Sequence, residues 1–181
     1  MPKITTTPLV YEDLEKFPND GLRREIIGGE LFVTPSPEQP HQRAVLNIAI
    51  VLREYEHKFG GQVTIAPFDV VLSAQNVVEP DVVFVAADRI DVSGRKAIHG
   101  APTVAVEVLS PSTSRVDRVK KRELYARFAV PEYWIVDTDE RTIERCSDPQ
   151  NGVYQTIVTF DREFTSEALP GFRSALDELF S

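Results

Sequence analysis

Residues 103–137, TVAVEVLSPSTSRVDRVKKRELYARFAVPEYWIVD, decide the fold. The stretch opens on an apolar strand pattern, turns at a Ser/Pro segment, continues as a basic amphipathic helix and returns in a second apolar strand pattern, EYWIVD. In TVAVEVL, Val104, Val106 and Val108 share one face, while Ala105, Glu107 and Leu109 share the other. Both faces are apolar apart from Glu107, the pattern of a strand in the middle of a sheet. A carboxylate there needs partners, and a metal ion is one of the few that would satisfy it.

The segment between the strands reads by angle, at about 100° per residue. Leu124, Tyr125 and Phe128 define its apolar face, Asp117 and Lys121 fall in the middle of that face, and Arg118, Arg122, Glu123 and Arg127 lie off it. Lys121 therefore points inward, with Lys120 at the edge of the same face as second choice. Two partners are open to Lys121: Asp117, four residues back, as a helix-stabilising pair, or a site shared with Glu107.

The whole chain, 181 residues at 42% hydrophobic and 27% charged, fits one globular domain, 1–181, with ample length for a core. It has no charged-then-apolar leader, no apolar run long enough to span a bilayer and no lipidation signal, so a cytoplasmic location is expected, with no membrane partner. The single cysteine, Cys146, excludes an intrachain disulfide framework and a cysteine-based zinc site, and reads as a packing residue in a strand, TIERCS. The net charge of −8 has the wrong sign for a nonspecific nucleic-acid coat. It is uneven, however: Arg115 to Arg127 carries six basic residues against two acids, +4, which leaves −12 elsewhere. Either a phosphate-facing patch or a solvated helix face accounts for that run.

From the amino terminus, residues 1–8 read as a loose polar segment and LVYEDLEKF, between Pro8 and Pro18, as a short helix forming a lid over the core. LRREIIGGELFVT predicts two strands joined by a tight Gly28-Gly29 turn, with Glu25 free to face core or solvent. His41, Val45, Ile48, Leu52, Tyr55 and Phe59 then follow at spacings of 4, 3, 4, 3 and 4, the core stripe of a long helix that Gly60-Gly61 ends. QVTIAPFDVVLS predicts a strand pair, or one bent strand, broken at Pro67, and VVEPDVVFVA a buried strand beginning at Pro80-Asp81. Residues 87–102 read as a loop holding His99. After EYWIVD, strands are expected in RTIERCS, GVYQTIVTF and EFTS, and a core-docked helix in FRSALDELF. The order predicts one mixed sheet with helices on its faces.

Two acids, Asp81 and Glu107, stand on strands able to be neighbours, with an inward lysine shortly after the second. Hard divalent cations such as magnesium take one or two protein carboxylates and accept phosphate oxygens in their remaining positions. Such an ion makes bound water more acidic and offsets charge building on phosphorus, where Lys121 would help. Walker A, the glycine-rich dinucleotide fingerprint, HExxH and GxSxG are all absent, and Ser110, Ser112 and Ser114 read as turn residues.

VVEPDVVFV, VAVEVLSPST and DRVKKRELYARFAVPEYWIVD together resemble the Uma-two family of restriction-endonuclease-like proteins, a branch of the PD-(D/E)XK nuclease superfamily. The resemblance extends to GGEL in the amino-terminal hairpin, SPEQPH before the long helix and SEALPGF near the end. It implies an α/β restriction-endonuclease-like core, a mixed central sheet flanked by helices, with an extra amino-terminal hairpin. Carried over by residue, it makes Asp81 and Glu107 metal ligands, for Mg2+ with Mn2+ as substitute, and Lys121 the site lysine. Glu25 and His41 match positions near the site, as an extra ligand or a water-positioning base, while Tyr125 and Asp117 read as supports. The usual lysine position, two after Glu107, holds Leu109, so the lysine has migrated. The activity implied is endonucleolytic hydrolysis of nucleic acid, DNA first. Alternatives from other classes are a catalytically inactive nuclease fold serving as a binding or assembly module, and a hydrolase of small phosphate esters. A homodimer is expected, packed through Val119 and Ala126 on the side of the helix opposite Leu124.

Overall fold

The computed structural model describes residues 7–18 and 20–181, so most of the amino-terminal segment read as loose lies outside the described residues. Helix α1 is only Tyr11–Leu14. It buries none of its residues and so does not form a lid. Instead the segment laces two turns together: Leu9 N–H donates to Gly29 O and Tyr11 N–H to Ala74 O. Gly29 sits at φ 79°, and a Cβ there would lie 2.5 Å from that of Pro8, so this turn accepts glycine alone.

The hairpin forms as the sequence predicts, with β1 (Arg23–Ile27) antiparallel to β2 (Glu30–Thr34). It is not an appendage, because β1 also pairs with β5 (Asn76–Val78), which continues through β4 (Asp69–Ser73) to β7 (Ala97–His99). The strand order of this five-stranded sheet is β2-β1-β5-β4-β7. The 87–102 region is thus no plain loop: a 3-10 helix, Ala87–Val92, precedes β7, and His99 lies at its exposed end.

A second sheet, of six strands, carries the stretch that decides the fold. Its order is β11-β10-β9-β8-β6-β3, from β3 (Gln62–Ile65), β6 (Val82–Val85), β8 (Val104–Val108), β9 (Glu132–Asp137), β10 (Thr142–Gln150) and β11 (Val153–Phe160). The expected single sheet is therefore two large sheets and a two-stranded ribbon; the first forms because β1–β5 pairing joins segments some fifty residues apart and leaves no local trace. All neighbours in the six-stranded sheet are antiparallel except β8 and β9. That parallel pair needs a crossover, and the basic helix supplies it. The crossover begins as a π-helical turn, Val116–Lys121, and runs directly into α3, Arg122–Arg127.

The alternation in β8 divides the core. Val104, Val106 and Val108 join Val82, Phe84, Trp134 and Val136 under α2 (Gln39–Phe59), whose Ala44, Val45, Ile48 and Leu52 are buried. Phe59, at the far end of the stripe, is half-exposed. Ala105, Val83, Val85, Tyr133 and Ile135 pack on the opposite side with α3 and the five-stranded sheet. α3 is covered on more than one side, so Ala126 is buried in this core and cannot face a second copy, whereas Val119 is exposed. The angular reading assumed a single packed face; α3 lies between the five-stranded sheet and β10–β11. The closing FRSALDELF segment is β13 (Arg173–Ala175), paired with β12 (Glu163–Thr165), followed by a four-residue α4 (Leu176–Leu179). Among the described residues, no helix is long and apolar enough to cross a membrane.

Glu132 ties the carboxy-terminal segment to the sheet. Its Oε1 accepts from the Glu167 and Ala168 N–H groups at 2.6 and 2.8 Å, and its Oε2 from Trp134 Nε1 and Ser166 Oγ at 2.7 and 2.8 Å. Replacing Glu132 by Ala removes four bonds to one buried charge and leaves their donors unpaired, so a loss of about 3 kcal/mol or more is expected in urea denaturation. Fluorescence of Trp134, the single tryptophan, reads the loosening directly.

Cys146 is fully buried in β10, and burial pushes its thiol from 9.0 up to about 12. Native protein at pH 8 should leave a disulfide reagent unreacted and react once per chain in urea. The linkage sign follows: the folded chain holds this proton more tightly, so the contribution is complete below about pH 9 and lost as pH rises through 12. Above pH 9 the wild type should lose melting temperature faster than Cys146→Ala.

Candidate functional site

Asp81 immediately precedes β6, and the β6–β8 register, Val82 with Val106, brings it beside Glu107. Its Oδ2 accepts the Val108 N–H at 2.8 Å, a bond across the two strands that fixes the carboxylate. Glu107 keeps its place because its partners come from the crossover helix: Lys121 Nζ and Tyr125 Oη both donate to Oε1, at 2.8 and 3.1 Å. Asp81 and Glu107 are both nine-tenths or more buried.

The strand β1 contributes two side chains, since alternate residues share a face. Glu25 lies inward, with Oε1 2.8 Å from Lys121 Nζ and accepting the Glu79 N–H at 2.8 Å. Arg23, two residues earlier, extends the same way: its Nη1 lies 2.7 Å from Asp81 Oδ1, and its Nη2 donates to Glu79 O at 2.7 Å and stands 3.7 Å from Glu107 Oε2. His41, in the first turn of α2, sets Nε2 3.2 Å from Asp81 Oδ2, and its Nδ1 is buried with no hydrogen-bond partner among the described residues.

Lys121 thus reaches both partners open to it. It touches Glu107 and Glu25 at 2.8 Å each and Asp117 at 3.6 Å, so the shared site dominates over the helix pair. Lys120 instead points out and pairs with Glu30 at 3.0 Å, which removes it as site lysine. Two more of the basic run are paired, Arg118 with Asp137 at 3.1 Å and Arg122 with Glu144, whereas Arg115 and Arg127 have no ion pair among the described residues. The paired members are neutralised by acids of their own fold.

Five acids, Glu25, Glu79, Asp81, Glu107 and Asp117, surround two permanent cations, Arg23 and Lys121. Burial pushes Asp81 up, but the His41 hydrogen bond and the Arg23 guanidinium outweigh it and hold it at about 2. Burial raises Glu107 well above the usual carboxylate range, Lys121 opposing it and the neighbouring acids adding to it. Burial, reinforced by Asp69, also pushes Glu79 up to about 7. Burial alone would lower Lys121; Glu107, Glu25 and Asp117 reverse this and raise it, so it remains an ammonium ion.

Of these five acids and two cations, all except Glu25 line a cavity of about 540 Å3, walled by the residues before β1, the β2–α2 turn and the Ser110–Thr113 turn. This is the volume of a small-ligand site. Its acidic excess and oxygen donors suit a cation. Arg23 carried no signal when read alone; the signal was its two-residue spacing from Glu25, which turns both the same way once either is known to face inward.

The family model described as "Putative restriction endonuclease", Uma2, matches residues 11–177, and the chain belongs to the Uma2 family. A similar solved structure is that of "a putative nuclease belonging to DUF820" from Anabaena variabilis ATCC 29413. It aligns at TM-score 0.78 and 19% identity, over 96% of this chain and 98% of that one. No curated protein sequence matches the chain.

Removing Lys121 leaves Glu107 and Glu25 without their shared buried cation. Lys121→Met should destabilise the protein by about 3–5 kcal/mol in urea denaturation with chelator present. Glu107→Gln in the same background should recover part of the loss, because the orphaned carboxylate is then neutral; a purely additive double mutant would deny the coupling.

Proposed function

We propose that the chain is a divalent-metal-dependent endonuclease hydrolysing phosphodiester bonds in nucleic acid, with DNA as substrate and Mg2+ as its ion. One observation carries the reading. Asp81 and Glu107, from neighbouring strands, lie buried side by side on the floor of a cavity, and each has one carboxylate oxygen, Oδ1 and Oε2, free of every partner except Arg23 among the described residues. Two hard oxygen donors amid an excess of buried acids fit Mg2+ or Mn2+. Asp81 and Glu107 would hold the ion. Bound there, it would make water acidic enough to attack phosphorus and offset charge on the phosphoryl oxygens.

The chain's own groups have distinct parts in this reading. Lys121, kept charged by three acids, acts as an electrostatic partner to a developing oxyanion rather than as a base. Glu25 and Asp117 hold it, and Tyr125 orients Glu107. His41, lining the cavity, is braced through Nε2 on Asp81 and helps to hold that carboxylate in place.

A second reading, an inactive nuclease fold used as a binding module, is favoured by the ion pairs that already engage both acids. Calorimetric titration of wild type and Glu107→Gln with Mg2+ and Mn2+, alongside cleavage of single- and double-stranded DNA, separates the two. Metal binding and metal-dependent cleavage in the wild type, both lost in the variant, are expected. An inactive fold would bind no metal, cut neither substrate and become more stable on Glu107→Gln.

A further inference from the structure

We infer that Arg23 is the site's resident cation, which a divalent metal must displace, and that this residue therefore sets the site's metal affinity. The inference rests on the metal-binding reading above. The two acids divide their oxygens unevenly. Asp81 Oδ2 is held by the Val108 N–H and His41, and Glu107 Oε1 by Lys121 and Tyr125. Asp81 Oδ1 and Glu107 Oε2 remain, and the two Nη atoms of one guanidinium face them at 2.7 and 3.7 Å. Arg23 thus addresses the same pair of oxygens that a bridging cation would take.

Its hold is partial. The Glu107 contact is too long for a hydrogen bond, and Arg23 Nε is buried without a hydrogen-bond partner among the described residues, with Glu79 Oε2 standing at 4.0 Å. An incompletely satisfied buried guanidinium gains less from its site than a fully bonded one. Lys121, by contrast, lies 2.8 Å from two carboxylates where Arg23 has one at 2.7 Å, and its side chain is 3% exposed, against 19% for Arg23. Both side chains line the cavity, but Arg23, at the first residue of β1, is the more exposed of the two. Of the two cations, Lys121 is built in and Arg23 is exchangeable.

An occupant present about nine-tenths of the time weakens apparent affinity about tenfold. Mn2+ should accordingly bind Arg23→Gln about tenfold or more tightly than wild type by calorimetry, while Arg24→Gln, which removes a neighbouring charge paired to Asp20, should change affinity by about twofold or less. In unmodified protein, phenylglyoxal should label Arg23, located by peptide mass spectrometry, several-fold faster in Mn2+ than in chelator. The labelling arm decides the matter even if Arg23→Gln does not fold. Equal tightening in both variants, with labelling of Arg23 unaffected by Mn2+, would overturn it and leave the metal-binding reading intact. Failure of all three proteins to bind Mn2+ would overturn both.

Discussion

The structure depends on one buried ammonium group. Lys121 lies within 2.8 Å of carboxylates from β1 and β8 and 3.6 Å from a third on its own helix, almost without solvent. An isolated charge at this depth is prohibitively unfavourable, so each of these groups is tolerable only while the others are present. That mutual requirement fixes where the five-stranded sheet sits against the six-stranded one, because Glu25 belongs to the first and Glu107 to the second. The apolar contacts of Ile27, Val70 and Val78 with Ala105 and Tyr133 hold the sheets together without direction, while the ion cluster sets their register.

The π turn belongs to the same constraint. Over Val116–Lys121 the helix is wound more loosely than an α-helix, and Arg122 N–H reaches back to Asp117 O. Such turns have a cost in backbone geometry and are found chiefly where a side chain must be delivered to a particular place. Here Lys121 is the last residue of the turn and Tyr125 lies one turn further on, and both donate to the same Glu107 oxygen. Tyr133 Oη then donates to Asp117 O at 3.1 Å, which occupies a carbonyl already shared with the π-turn bond. The irregular winding and the buried acid therefore support one another.

Much of this was legible from local pattern. The alternation in β8, the hairpin at Gly28-Gly29 and the upper part of the α2 stripe depend on neighbours in sequence, and all appear as read. The inward lysine was legible too, since Leu124 and Tyr125 mark the buried side. Three features were not. Pairing of β1 with β5 joins distant segments, so the second sheet had no local signature. Ala126 was assigned outward because a helix lying in a trough between two sheets has no single buried face. Arg23 has no local signal of its own, and only the burial of Glu25, itself a tertiary fact, reveals which way it turns.

The pairing pattern also separates the stability of this fold from occupancy by any ion. In small structural metal sites the ligands repel one another until the metal binds, and folding waits for it. Here Asp81 and Glu107 find their counter-charges within the chain, from Arg23, His41 and Lys121, so the carboxylates can be buried as the sheet forms. The compensation is nonetheless incomplete. Five acids gather around two permanent cations, and burial, with neighbouring acids adding to it, raises Glu79 and Glu107 above the usual carboxylate range. A site with this balance folds by itself while retaining a residual demand for positive charge, and that demand is concentrated on the oxygens that face Arg23.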